Sequence, residues 1–184
     1  DLGSSWASPL NPALPSPGAP NQVFVTNAAP NIRQVNHTPQ QPASTHQVLV
    51  TAKITDPHGV ASVVLHYQVV TPGNRLPAFL PSSPAELNAN PLAVPPANPA
   101  FEASTNWIAV TMHDDGMNGD AVAGDDIYSV TLPVQPNRTL VRYRITSTDG
   151  FGVSRRAPFA DDPSLNFAYF VYDGVPNYAG VNAT

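Results

Sequence analysis

Alternating apolar and polar positions mark short strands along much of the chain. The row from Val48 to Ile54 is apolar at every second residue, with Thr51 and Lys53 on the opposite face. A period of two is typical of a strand that turns one face toward a core. Comparable segments predict further strands at residues 60–70, 106–114, 126–134, 139–149 and 167–174.

The residues between these strands favour tight turns rather than helices. "DPHG" at 56–59 places a proline and a closing glycine where a turn needs them, and "DGFG" follows at 149–152. "SPAELNA" is predicted to be a short helix, with Ser83 as its cap and Pro84 in its first turn. Six or seven short strands with little helix predict an all-β fold, an antiparallel β-sandwich.

Composition divides the chain into an arm, a domain and a tail. Residues 1–29 are rich in Pro, Ser and Ala and are expected to be a linker or N-terminal arm, with a candidate first strand at 22–26. The sandwich is predicted to cover 30–175, interrupted by a long Pro-rich insertion at 71–104, and 176–184 is a C-terminal tail. An insertion of this length is uncommon inside a domain.

Charge and composition narrow the classes of partner. The chain has 22 prolines, one lysine and a net charge of -5, so it offers no basic face for nucleic acid. It lacks an apolar run long enough to span a bilayer. Cysteine is absent, and the Lys-poor composition indicates an exported chain, extracellular or at the cell surface. Because the sequence begins with Asp1 rather than Met, we interpret it as a processed or excised piece.

The stretch "TMHDDGMNGDAVAGDDIYSV" at 111–130 carries the densest negative charge of the chain. Glycines separate its carboxylates, and oxygen ligands in a glycine-rich loop suit a hard cation such as calcium. The first three candidate side-chain ligands are Asp115, Asp120 and Asp125, and the next two are Asp114 and Asp126.

Two other interpretations of this acidic loop stay open. Asp accepts hydrogen bonds from nearby backbone amides and Gly adopts positive φ, so a metal-free network of turns would use the same residues. A catalytic carboxylate pair is the third interpretation. The sequence has no nucleophile elbow, phosphate-binding loop or zinc-binding helix motif, so we expect that the protein is not an enzyme.

"MHDDGMNGDAVAGDDIYSV" resembles the "DDG..GD..AGDG.Y" signature of large secreted bacterial proteins. The signature occurs there in an immunoglobulin-like or fibronectin-III-like module beside CotH-like kinase and lamin-tail domains. "VLVTAKITDPHGVASVVLHYQV" and "VRYRITSTDGFG" are also similar to that module, and the likeness covers roughly residues 30–178. Asp126 stands where the signature usually has Gly, and the insertion departs from its compact form. The resemblance implies a non-catalytic extracellular module joined to other domains of a parent protein.

Aromatic residues outside the strand cores offer a different function. Exposed rings stack against sugars, so carbohydrate binding through such rings and the 71–104 insertion is the alternative to a structural or adhesive role. The candidate rings include Phe79, Phe101, Trp107, Phe151 and Phe159, together with Trp6 and Tyr178 near the ends.

The N-terminal arm suggests a route to self-assembly. "QVFVTN" has the composition of an edge strand and follows a Pro-rich tether. Such a segment can add to the open sheet edge of a neighbouring copy and build a fibre or surface array. In the other arrangement, Val23–Thr26 pairs within its own domain as the first strand.

Overall fold

The described residues form eight strands in two antiparallel sheets, with two short helices in the insertion. The structure is a computed structural model and describes residues 26–103, 106–159, 162 and 164–175. The elements are β1 Asn31–Thr38, β2 Val48–Thr55, β3 Val60–Val70, α1 Pro84–Ala89, α2 Pro99–Glu102, β4 Ile108–Thr111, β5 Ile127–Leu132, β6 Leu140–Asp149, β7 Ser154–Ala157 and β8 Phe167–Phe170.

Two sheets face each other across one core. The first has the order β1-β2-β5, and the second has the order β4-β3-β6-β7, with β8 also paired to β6. β8 pairs with the first part of β6 and β7 with its last part, so they follow one another along the same side of β6. This arrangement confirms the predicted all-β, antiparallel sandwich.

The core consists of the inward rows of the central strands. β2 alternates between buried and half-buried positions along its whole length, and β6 does the same. The alternation predicted from the sequence is therefore confirmed for these two strands. The most buried apolar side chains on them are Val48, Val50, Ala52, Ile54, Val141, Tyr143 and Ile145. In β3, Val63, Leu65 and Tyr67 are buried as expected, but Val69 at the strand end is 36% exposed.

Two strands were not predicted from the sequence. In β1 the register shifts between Arg33 and Asn36, and Gln34 has a φ of 51°, so a bulge breaks the period of two. β7 is only four residues long and contains Arg155 and Arg156, an adjacent basic pair that the sequence alone would place in a solvated loop. That interpretation is wrong, because both arginines lie in a strand paired with β6.

The predicted arm and tail fall almost wholly outside the described residues. Residues 22–25 of the candidate first strand and all of 176–184 belong to that part of the chain. The two arrangements of the arm therefore both stay predictions.

The insertion carries its own small cluster against the outer face of the second sheet. α1 begins at the expected cap, where the Ser83 side chain accepts from the Glu86 amide and the Glu86 carboxylate accepts from the Ser83 amide. From within α2, the Phe101 ring meets the Trp107 indole edge to face at 5.8 Å. Phe101 is 1% exposed and Trp107 is 8% exposed. The insertion is thus packed onto the sandwich at this point.

Polar side chains of the sheet hold this cluster in place. The Phe101 carbonyl accepts hydrogen bonds from Gln68 Nε2 at 3.2 Å and from Trp107 Nε1 at 2.9 Å. The Arg144 guanidinium lies 3.8 Å from the Trp107 ring centroid, and the Arg142 guanidinium lies 5.2 Å from the Phe101 ring centroid. These cation–π contacts explain why two outward-facing arginines of β6 are half-buried. Neither of the described helices is long and apolar enough to cross a membrane.

The chain is tied down at opposite ends of the sandwich. At the N-terminal pole, where β1 begins and β6 ends, the Asn27 side chain donates to the Asp149 carboxylate. At the C-terminal pole, the Asp173 carboxylate accepts from the Ser44 amide at 2.6 Å and from the Ser44 hydroxyl at 2.7 Å. These two Ser44 bonds, with the nearby His46, lower the pKa of Asp173.

Candidate functional site

The acidic loop connects β4 to β5 and is fixed at both of its ends. Its first residues join the sheets, because His113 exchanges backbone hydrogen bonds of 3.0 and 2.7 Å with Ser129. Its last residues continue the pairing of β5, since the Ile54 amide donates to the Asp126 carbonyl at 2.9 Å. The Thr131 hydroxyl donates to the Asn118 carbonyl at 3.2 Å and holds the middle of the loop against β5.

Asp114 organises the second half of the loop. Its Oδ1 accepts from the amides of Gly124 at 2.7 Å and Asp125 at 3.2 Å, and its Oδ2 accepts from the Asp126 amide at 3.0 Å. Three consecutive amides around one carboxylate form an anion-binding concavity. This part of the loop is a network of the kind that the metal-free interpretation predicts.

Asp114, Asp120 and Asp125 come together as an acidic trio. One carboxylate oxygen of each lies within 4.8 Å of the others. Asp120 is only 8% exposed, and its Oδ2 accepts from the Gly116 amide at 2.6 Å. Asp125 Oδ1 accepts from the Ile127 amide at 3.0 Å. Asp120 and Asp125 thus each accept a backbone hydrogen bond with one carboxylate oxygen, which leaves the other oxygen for a further ligand.

Asp115 and Asp126 lie outside this trio, although the sequence indicated both as candidates. Asp115 Oδ1 closes a local turn by accepting from the Met117 amide at 2.9 Å, and its Oδ2 lies 4.0 Å from His113 Nδ1. Asp126 is exposed and contributes its backbone to the pairing with β2. The trio therefore includes Asp114, which the sequence ranked second, in place of Asp115.

The backbone of the loop needs positive φ at several positions, of which two matter most. Gly119 has a φ of 104°, and a Cβ there would lie 2.6 Å from Leu49 Cδ1 and 2.9 Å from Thr131 Oγ1. Asp126 has a φ of 67°. That conformation favours Gly, and Asp is among the other residues that tolerate it.

Two side chains outside the loop, Lys53 on β2 and Tyr128 on β5, lie close to its negative charges. The Lys53 ammonium group, from the sole lysine in the sequence, donates to the Asp125 carbonyl at 3.3 Å. Burial raises the pKa of the Tyr128 phenol, and the negative charges of Asp114 and Asp126 raise it further. The sequence pattern does not connect Lys53 or Tyr128 with the loop, because their proximity to the loop depends on strand register.

The donor set of the trio fits a hard divalent cation. All of its side-chain ligands are carboxylate oxygens, and Asp120 is buried. Calcium prefers oxygen ligands of this kind and completes its shell of six to eight with backbone carbonyls and waters. Backbone N–H groups that donate to Asp114, together with the Lys53 ammonium group, compensate part of the negative charge of the loop without a metal. The geometry is compatible with both interpretations and assigns no ion.

The aromatic candidates for sugar binding divide into buried and exposed rings. Phe101 and Trp107 are buried in the insertion cluster, so their faces are not available as platforms. Phe79 is 42% exposed in the insertion, whereas Phe151 is 68% exposed in the turn after β6. Carbohydrate binding stays a prediction, and among the described candidates it now depends chiefly on Phe79 and Phe151.

Comparison with known proteins gives no family assignment: no family model and no curated protein matches this chain. The resemblance of the acidic loop to the secreted bacterial module therefore stays a prediction.

Proposed function

We propose that this chain is a non-catalytic structural and adhesive module of a secreted or cell-surface bacterial protein, of the immunoglobulin or fibronectin III type. In this proposal the acidic loop is held by a calcium ion, and the module connects other domains or other copies in series. The Lys-poor, cysteine-free composition and the loop signature support an extracellular location.

The positions of the two poles carry this proposal. Asn27 anchors the incoming chain beside Asp149, and Asp173 anchors the outgoing chain beside Ser44 at the opposite ends of the strands. Tension applied through the chain would run along the strands, where it loads many ladder hydrogen bonds at once. A module connected in this way transmits force between its neighbours without peeling strands apart.

We expect calcium to raise the melting temperature of the chain. A cation that binds only the folded state stabilises it by mass action, by about 2.7 kcal/mol at a hundredfold excess over Kd. For a chain of this size that corresponds to roughly 5–10 °C. Asp120→Asn should remove the part of the increase that comes from the acidic loop, because Asp120 is the buried carboxylate of the trio.

Thermal melting with calcium and with chelator tests this expectation. Asp126→Asn is the matched control, since it removes a carboxylate from the same loop but outside the trio and should retain most of the shift. Identical melting curves in calcium and chelator would favour the metal-free turn network.

We further propose that the N-terminal arm joins copies by strand addition. Sedimentation velocity should show concentration-dependent association of the full chain that disappears when residues 1–29 are deleted. If deletion of residues 1–25 alone, which keeps the Asn27 contact with Asp149, lowers the melting temperature and leaves association unchanged, the segment is the first strand of its own domain. If deletion changes neither property, the arm contributes to neither assembly nor folding.

A further inference from the structure

The inward rows of the two sheets end in carboxylates at the N-terminal pole. Asp56 follows β2 in phase with its buried residues, and its side chain is 1% exposed. Asp149 is the last inward position of β6 and is also 1% exposed. The turn that follows Asp56 meets the turn that follows Asp149, because the Gly150 amide donates to the Gly59 carbonyl at 3.2 Å.

Both carboxylate oxygens of Asp149 are held by hydrogen bonds at this pole. Its Oδ1 accepts from the amides of Phe151 at 2.9 Å and Val153 at 2.8 Å, and its Oδ2 accepts from Asn27 Nδ2. Burial acts to raise the pKa of Asp149, but the hydrogen bonds from Asn27, Val153, Phe151 and Gly152 outweigh it and lower that pKa.

Three buried oxygens at the same pole have no hydrogen-bond partner among the described residues. They are Asn27 Oδ1, Asp56 Oδ2 and Ser147 Oγ. Ser147 is fully buried and is the inward residue directly before Asp149 in its row. The other oxygen of Asp56 accepts from the His58 amide at 2.7 Å, so that side chain is held in place with one oxygen unmatched.

Unmatched acceptors of this kind are costly. A buried polar group without a partner destabilises the folded state, and a charged one does so more strongly. Two of the three groups, the Asn27 amide oxygen and the Asp56 carboxylate oxygen, only accept, and neither can satisfy the other. The pole therefore presents a concentration of acceptor oxygens that includes the carboxylates of Asp56 and Asp149.

We propose that this pole binds a divalent cation of the calcium class, at a second site separate from the acidic loop. Asp56 Oδ2, Asn27 Oδ1 and the Asp149 carboxylate are its side-chain ligands, and Ser147 supplies the buried hydroxyl of the preceding inward position of β6. Calcium accepts mixed carboxylate, amide and hydroxyl oxygens and neutralises two carboxylates. The backbone N–H groups that donate to Asp56 and Asp149 orient these ligands, as supporting hydrogen bonds do around bound metals.

The site would join the incoming chain to both sheets. Asn27 precedes β1, Asp56 ends the β2 row and Asp149 ends the β6 row. A cation shared among them fixes the direction in which the preceding arm leaves the sandwich. Calcium would thus stiffen the junction between this domain and whatever precedes it.

Calcium binding to the full-length chain, measured by titration calorimetry in chelator-treated buffer, tests the proposal. Three chains are compared: the unchanged one, Asp56→Asn and Asp120→Asn. We expect Asp56→Asn to weaken one binding event at least about tenfold and Asp120→Asn to leave that event in place. A single event that Asp56→Asn removes and Asp120→Asn retains supports the pole site and tells against the loop site.

The opposite results overturn the pole site. They are an absence of calcium binding by the folded chain, or binding that survives Asp56→Asn unchanged. Should circular dichroism show that Asp56→Asn does not fold, Asn27→Ala replaces it, because Asn27 lies outside the strands. A folded Asn27→Ala variant with unchanged calcium affinity also overturns the proposal.

Discussion

Phe101→Ala is expected to lower the free energy of unfolding by about 3–5 kcal/mol, the usual cost of removing a fully buried aromatic ring. The ring is 1% exposed and packs edge to face against Trp107, with the Arg142 guanidinium above it. Truncation leaves a cavity between the insertion and the sheet and removes one cation–π contact. The effect would show that the 71–104 insertion belongs to the folding unit.

Urea unfolding of the variant and of Phe79→Ala measures this difference. Phe79 lies in the same insertion but is 42% exposed, so its truncation should cost much less. Equal and small losses for both variants would mean that the insertion is an independent ornament whose packing does not stabilise the sandwich.

Gly119→Ala should destabilise the protein by about 2–4 kcal/mol, from left-handed strain together with overpacking. The φ of 104° remains unfavourable for any side chain, and the new Cβ meets Leu49 and Thr131. Relief of these contacts moves the loop off β5, where the Thr131 hydroxyl holds the Asn118 carbonyl. The variant should therefore also lose calcium stabilisation, because Asp120 follows Gly119 directly.

Gly124→Ala is the matched control for Gly119→Ala. Gly124 also has a positive φ, of 76°, but a Cβ there has no neighbour within 4 Å. Its cost should be the backbone strain alone, about 1–2 kcal/mol. A Gly119→Ala variant as stable as Gly124→Ala would show that the contact with Leu49 does not hold the loop.

The strands could be predicted from the sequence wherever apolar and polar residues alternate without interruption. β2 and β6 alternate without interruption, so their buried residues were identified correctly. β1 was missed because the bulge between Arg33 and Asn36 shifts its alternation. β7 was missed because it is short and carries two arginines. Local patterns do not contain the sheet pairing that makes such segments strands.

The acidic loop could be identified from its residue types, whereas its geometry could not. Spacing ranked Asp115 ahead of Asp114, but Asp115 closes a local turn while Asp114 gathers three amides and joins the trio. Which carboxylates converge depends on how the loop folds onto β5. The Asp56 and Asp149 pole had a readable signal, since each Asp ends an alternating row just before a turn. Connecting them required knowledge that β2 and β6 face each other.

The mechanical strength of the chain decides whether this sandwich carries tension in series. Because the sequence lacks cysteine, single-molecule attachments can be introduced at chosen sites. One variant carries Thr26→Cys and Val175→Cys, so that it is pulled between the poles. The other carries Pro57→Cys and Phe151→Cys, so that it is pulled from one pole.

A module that carries tension should unfold at a clearly higher force when it is pulled between the poles than when it is pulled from one pole. That direction shears the strands, whereas pulling from one pole separates β3 from β6 one hydrogen bond at a time. We expect this difference in unfolding force, and we expect that added calcium raises the unfolding force further for the pole-to-pole direction. An equal or lower force between the poles would contradict the proposal that this sandwich carries tension in series.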